Sequence, residues 1–411
     1  MRFHPGNVMV LCVLFAATTL MTPDLRATAQ RPADKQPANN SFAKVAAKLD
    51  QGGSFYMVWD VGRSLRRTVE SLAEVATVSG DPQARLGAPI LRSALKELGL
   101  WNLGFLGISH QDQSQGGHRC VMFLEVPERK GLLNLQGDPR SLDLLGIFPA
   151  ETLLVSAAAL EFSRLIPLVE DIAGGVAGMV GRQSIVDGLD KKKEKDNVDL
   201  RTLLAGLGNE VALGFWLDPK EKITIQGPRN HSLEIPRPRL AVAVNASTNT
   251  LVHLALHESQ RKEKNGQLVR FDDWETLVGQ PAPRIPDLHP VLAWKPGMLI
   301  FTESTTTLRI LESTRESGRD IRTSPGWKAM SNSLPKNILK VLYLSPAGSQ
   351  AVLDSLNQLP AASREEKAAR RVIGRLIAWL AGGMMAVTTY EDGGYLHISL
   401  TAPPPASPSK P

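Results

Sequence analysis

The run MMAVTTYEDGGYLHISL (Met384 to Leu400) leaves its stretch of chain few options. Two strand-like segments flank Asp392-Gly393, and a two-residue hairpin turn needs positive φ at both central positions, which Asp or Asn followed by Gly supplies at low cost. Beyond the turn, Leu396, Ile398 and Leu400 alternate with Tyr395, His397 and Ser399. That period of two predicts an antiparallel strand with one face inward and one outward.

Upstream of this hairpin the same order of elements recurs. NILKVLYLS (Asn337 to Ser345) reads as a strand, and Val352, Leu356 and Leu359 mark a helix. Ser363 with Glu366 then forms a capping box for a second helix, residues 363–381, carrying Ala369, Ile373, Leu376 and Leu380. Near the start, SFYMVWD (Ser54 to Asp60) predicts a strand. It is followed by a helix with Leu65, Val69, Leu72 and Ala76 on one face and by another with Leu91, Leu95 and Leu98 that stops at Gly99. Strands around Leu103 to Ser109 and Cys120 to Val126 then flank the polar loop HQDQSQGGH.

A looser copy lies between them. ETLLVSAAA is a strand, a helix starts near Glu161, the charged run DKKKEKD (Asp190 to Asp196) precedes the short helix DLRTLLAGL, and VALGFWL and LAVAVNA close the unit around a Pro-rich insert. A bridging region follows: helix TNTLVHLALHES, strand QLVRFDDWETL, strand MLIFTES and helix TTTLRILEST. The expected fold is α+β, with mixed or antiparallel sheets covered by helix pairs and built from quasi-repeated β-α-α-β-β units. The units are placed at residues 46–135, 148–320 and 325–401, with a polar linker over 30–45 and a Pro-rich, disordered tail over 402–411.

The N-terminus predicts export. Arg2 precedes an uncharged apolar run, Val8 to Met21, and Ala27-Thr28-Ala29 supplies a small-x-small cleavage site before Gln30. Fourteen apolar residues fall short of the roughly 20 that span a bilayer. Residues 1–29 are therefore read as a cleaved signal peptide, and the mature chain as periplasmic or extracellular. Its cysteine would be Cys120 alone, since Cys12 leaves with the leader. One thiol makes no internal bridge, so stability must come from apolar burial. Cys120, Met122, Leu124 and Val126 share a strand face, which predicts a buried, inert thiol.

The succession LGNEVALGFWL, RLAVAVNA, GQLVRFDDWETL, PGMLIFTESTTTLRILEST and TSPGWKAMSNSLPKNILKVLYLS resembles a large family of exported bacterial proteins catalogued as a domain of unknown function, over roughly residues 148–400. The basic run Lys191 to Lys195 and the insert around Pro219 to Pro238 depart from the family layout. The resemblance implies an exported α+β protein and carries over no catalytic residues.

Motifs for chemistry are sparse. Ser41-Phe42-Ala43-Lys44 fits the Ser-x-x-Lys of penicillin-recognising enzymes without the Ser-Asp-Asn and Lys-Thr-Gly partners. MVWDVGRSL (Met57 to Leu65) resembles an Asp-x-Gly phosphate loop, and Asp171-Ile172-Ala173-Gly174-Gly175 resembles its second half. A strand end and a Gly-rich turn explain both, and ATP is scarce outside the cytoplasm. His253 and His257, at i and i+4 on one helix, are weak metal candidates that lack an evident third ligand. His110 and His118 flank one hairpin loop with Asp112 between them.

On the helix 363–381, Arg364, Lys367, Arg371 and Arg375 form a basic stripe suited to an anionic envelope polymer or lipid surface, with a solvated helix face as the alternative. The net charge of +6 is too mild, and the aromatics too sparse, to predict a nucleic-acid partner, and no cofactor motif is present. These features point to an exported, non-catalytic binding or structural protein. The alternatives are a periplasmic hydrolase with a site assembled from distant residues, or peripheral attachment through the basic helix.

Overall fold

A computed structural model describes residues 38–402, apart from 79, 81, 114–116, 197, 227–231, 262–266, 272, 281–288, 349 and 351–381. The chain divides into residues 1–40, described only at 38–40, and residues 41–411. The leader and the basic stripe Arg364, Lys367, Arg371 and Arg375 lie outside the described residues.

Among the described residues, one antiparallel sheet of 13 strands is formed. In chain order the strands are β1 (Phe55–Asp60), β2 (Phe105–Asp112), β3 (His118–Glu125), β4 (Leu154–Ala159), β5 (Leu207–Gln226) and β6 (Ser232–Ala246). Then come β7 (Gln267–Phe271), β8 (Trp274–Val278), β9 (Val291–Lys295), β10 (Met298–Thr302), β11 (Lys340–Leu344), β12 (Met384–Glu391) and β13 (Gly394–Thr401). Their spatial order is β1-β2-β3-β13-β12-β11-β4-β5-β6-β10-β9-β8-β7. The first and last stretches of the chain thus meet along β3 and β13, with Gly394 opposite Glu125 and Ser399 opposite Cys120.

The predicted hairpin is present, with Asp392 at φ 49° and Gly393 at φ 68° between the paired residues Glu391 and Gly394. Leu396, Ile398 and Leu400 are buried as the alternation required. Tyr395 is buried too, because its hydroxyl donates to the Leu133 carbonyl and its ring meets Tyr390 edge-on.

Among the described residues the helices are α1 (Ala38–Ala47), α2 (Val61–Val78), α3 (Pro82–Glu97), α4 (Leu165–Asp196), α5 (Leu200–Gly206), α6 (Thr250–Arg261), α7 (Thr305–Ser317) and α8 (Pro325–Ser331). Their ends follow from local chemistry. The Asp199 carboxylate accepts the Arg201 and Thr202 N–H groups at the start of α5, and the Ser304 hydroxyl accepts the Thr307 N–H at the start of α7. Gly318, at φ 65°, closes α7.

The two faces of the sheet differ. The main core lies on the face of Val121, Phe123, Val155, Ala157, Ala243, Ile300, Val341 and Val387, where Leu308 and Leu311 of α7 and Trp327 and Met330 of α8 also pack. On the opposite face, Val252 of α6 packs with Ala246, Leu277 and Leu299 in a smaller cluster. Elsewhere on that face Leu106, Ile108, Met122, Leu154, Leu213 and Leu342 are only half-buried.

Several expectations change. The linker placed over 30–45 contains the start of α1, whose Val45, with Leu49 just beyond the helix, is buried against Gly107 of β2. Phe42, Val45 and Leu49 stand at helical spacing, and that signal outweighs the polar composition before it. The Pro-rich insert is not an interruption, since β5 and β6 pair through it, with Lys222 opposite Pro236 and Gln226 opposite Ser232 beyond a register shift. QLVRFDDWETL is the tight β7–β8 hairpin rather than one strand. The run DKKKEKD forms the end of α4, which breaks at Ala177–Gly178, where Gly178 has φ 63°. Cys120 lies on the half-buried face, whereas Val121 and Phe123 point into the core.

Candidate functional site

Polar groups gather on both faces of the sheet. On the main-core face, the strands β11 and β12 supply Val341, Met385 and Val387 to the floor of a cleft of about 360 Å³. Leu142 and Leu145, from the short 3-10 segment Asp143–Ile147, form one wall, and Trp327 of α8 forms another. The mouth carries Ser141, Asn332, Arg322 and Lys336. The lining mixes buried apolar side chains below with exposed polar groups above.

Buried carboxylates position these walls. Glu210 accepts the Asp143 N–H at 3.0 Å and the Leu144 N–H at 2.7 Å, holding the first turn of the 3-10 segment. Burial pushes the Glu210 carboxyl up, against the opposing pull of those two backbone bonds. Asp320 accepts from Arg322 Nε at 3.0 Å and Nη2 at 2.7 Å, a bidentate pair that neutralises much of the guanidinium charge. Lys336 has no carboxylate partner among the described residues, so it is the cation the mouth presents.

Two further clefts lie among the described residues. One of about 470 Å³ is bounded by Lys96, Glu97, Asn102, Lys130 and Asp171, a polar lining of mixed charge. Another, of about 310 Å³, lies on the far side of the 3-10 segment between Gly146, Pro296 and Arg315.

On the opposite face, the end of the β2–β3 hairpin brings together His110, Asp112 and His118, whose ligand atoms all lie within 4.8 Å of one another. His118 Nδ1 is 2.8 Å from Asp112 Oδ1, and His110 Nδ1 is 2.7 Å from Ser54 Oγ. The two imidazoles stack with centroids 5.5 Å apart. Cys120 is opposite His110 in the ladder; burial pushes its thiol up, with a bond to Ser399 opposing.

The remaining sequence candidates are scattered. His253 and His257 are both exposed on α6. His253 Nε2 is 2.9 Å from Asn249 Nδ2 and 3.6 Å from Glu275 Oε2. Lys44 of the Ser-x-x-Lys motif lies 3.9 Å from Glu125. In the Asp-x-Gly motif, Asp60 Oδ1 accepts the Arg63 N–H at the start of α2, and Gly62 sits against the Leu103 carbonyl so closely that any Cβ would overlap it. Both residues of that motif therefore have structural work. Asp171 pairs with Arg182 across the break in α4.

Sequence reasoning missed Glu210, a lone charge in an apolar run, and Asp320 and Arg322, which lie in the mixed-charge stretch Arg319 to Arg322. Only Glu210, lying inside the apolar run LGNEVALGFWL, carried a signal that could have drawn notice.

No protein-family model matches the chain, and no curated protein matches it. Among solved structures, one described as the crystal structure of RctB domains 2–3 aligns over 72% of this chain and 91% of its own, with 10% identity and a TM-score of 0.09. A score that low carries no argument about fold or function.

Proposed function

We propose that the chain is an exported, non-catalytic binding protein that holds a small anion with an apolar body in the cleft between β11, β12 and α8. The supporting observation is the composition of that cleft: an apolar floor of Val341, Met385 and Val387 beneath a mouth where Lys336 has no carboxylate partner among the described residues. Its volume, about 360 Å³, is at the lower end of ordinary ligand pockets. Export rests on the leader pattern of residues 1–29, and mass spectrometry of secreted protein should find Gln30 at the mature N-terminus.

The repeat reading belongs with this proposal. β1, β2 and β3 pair in the same internal order as β11, β12 and β13, as duplicated β-α-α-β-β units would. Kinship with exported proteins of unknown function over residues 148–400 is likewise proposed.

The binding test is fluorescence titration of the full chain with a dansylated medium-chain carboxylate. Saturable binding, weaker by about tenfold in Lys336→Glu and unchanged in Lys340→Glu, is expected, since a charge-assisted bond is worth roughly 1.5–3 kcal/mol. Lys340 is exposed at the start of β11, on the opposite sheet face from the cleft. Equal affinity for the uncharged methyl ester, or equal loss in both variants, would refute the assignment.

A further inference from the structure

We propose that His110, Asp112 and His118 form a binding site for one divalent cation of the zinc class. The argument begins with strand parity: residues 110 and 112 are two apart on β2, so both side chains leave the same face. Register places His118 of β3 directly opposite Asp112.

The hydrogen-bond pattern tightens the pairing. Gln113 N–H donates to the Gly117 carbonyl at 2.7 Å, making 113 and 117 a hydrogen-bonded rung. The next rung, Asp112 with His118, is therefore of the close, non-hydrogen-bonded kind, and the His118 N–H turns away to donate to Thr401 Oγ1 at 3.0 Å. His110 and Cys120 form the next close rung on the same face.

These constraints bring an imidazole, a carboxylate and a second imidazole together. The spacing suits a small cation. Zinc binds imidazole nitrogen and carboxylate oxygen at about 2.0–2.2 Å, so neighbouring donors in a tetrahedral shell stand about 3.4 Å apart. Asp112 and His118 already approach to 2.8 Å, and the whole set falls within 4.8 Å, so loading asks for adjustments of an ångström or so.

The ring of His110 is braced at Nδ1 by Ser54 Oγ, which leaves Nε2 for the ligand, as outer hydrogen bonds do for ligating histidines. Asp112 is exposed and both histidines are half-buried, so a cation reaches the site from solvent. Two nitrogens and one carboxylate favour zinc, copper or nickel over calcium or magnesium, which take six or more oxygens or keep several waters. Three protein ligands leave a fourth position for water or an external donor.

The test uses the full chain, stripped with chelator, and Zn²⁺ as the probe in equilibrium dialysis. One zinc per chain is expected. Affinity should fall at least about tenfold in His110→Ala, His118→Ala and Asp112→Asn, the last being nearly isosteric and safe for folding. The double variant His253→Gln/His257→Gln, on α6, should retain the wild-type stoichiometry. With Cu²⁺ as a second probe, electron paramagnetic resonance should show coupling to two imidazole nitrogens, reduced to one in His118→Ala. Zinc binding unchanged by all three hairpin variants, or lost with the α6 pair instead, would overturn the assignment.

Discussion

Replacing Arg239 with Met should cost about 3 kcal/mol at neutral pH. The Arg239 side chain is fully buried on β6. Its Nη2 pairs with Asp218 at 3.1 Å and Glu221 at 2.9 Å, and its Nη1 reaches Glu303 at 3.3 Å, Ser304 at 3.2 Å and Thr307 at 3.3 Å. Removing one partner of a buried ion pair typically costs 3–5 kcal/mol, because the opposite charges stay behind unpaired. Glu221, 41% exposed, gives the cluster a route to water, which argues for the lower end of that range.

The pH dependence provides the sharper check. Burial pushes Asp218 up, but the Lys220 backbone N–H and the Arg239 guanidinium outweigh it, and the carboxyl ends below its ordinary value. A depressed carboxyl stabilises the fold above its unfolded pKa, near 3.9, and that stabilisation is lost as pH falls through the folded value. In Arg239→Met the stranded carboxylates can protonate as the solution is acidified, so the gap between variant and wild type should narrow between pH 7 and pH 4. Urea unfolding at both pH values measures it, and adding Asp218→Asn to the Met variant should recover part of the loss. A deficit under about 1 kcal/mol at pH 7, or one that does not shrink on acidification, would refute the reasoning.

Gly107→Val should release α1 from the sheet, since a Cβ there would lie 2.6 Å from Val45 Cγ1 and 2.8 Å from Leu49 Cδ1; faster amide exchange over residues 42–49 is the readout. The Asp199 carboxyl is held down to about 2, first by Lys193 and then by the Thr202 N–H. Carboxyl NMR should therefore place its midpoint near that value and find it raised in Lys193→Ala. Whatever Asp199 adds to the cap of α5 is present above the ordinary carboxylate range and disappears only as pH falls through about 2.

The parts of this fold that could be read in the sequence are those whose cause lies within a few residues. Asp392-Gly393 specifies its turn because both positions need positive φ, and α5 and α7 begin where Asp199 and Ser304 can cap them. The mistakes arose where composition was weighed against periodicity. The Pro-rich stretch looked like an insert, yet Pro236 and Pro238 occupy rungs of the long β5–β6 hairpin. The helix α1 hid in a segment whose first residues are polar, though Val45 and Leu49 already had the spacing of a buried stripe.

Single-sheet architecture was illegible for a different reason. The β3–β13 junction joins residues near 120 to residues near 399, and the β4–β11 junction joins residues near 157 to residues near 341. Nothing in a local pattern of apolar residues chooses a distant neighbour. Arg239 shows the limit most sharply. It continues the inward row of Ala241 and Ala243, so parity alone places a charge in the core, and only β5 and the β10–α7 junction, folded around it, supply Asp218 and Glu303.

The same logic separates the two histidine pairs. His253 and His257 have the spacing that sequence inspection rewards, but Asn249 and Glu275 both stand at His253, and no third metal-ligating group joins the pair among the described residues. His110 and His118 are eight residues apart and look like loop borders until the ladder sets one beside Asp112 and the other two rungs along on the same face. For a site built on a sheet, the informative spacing is the register between strands, and register becomes visible only once the strands have paired.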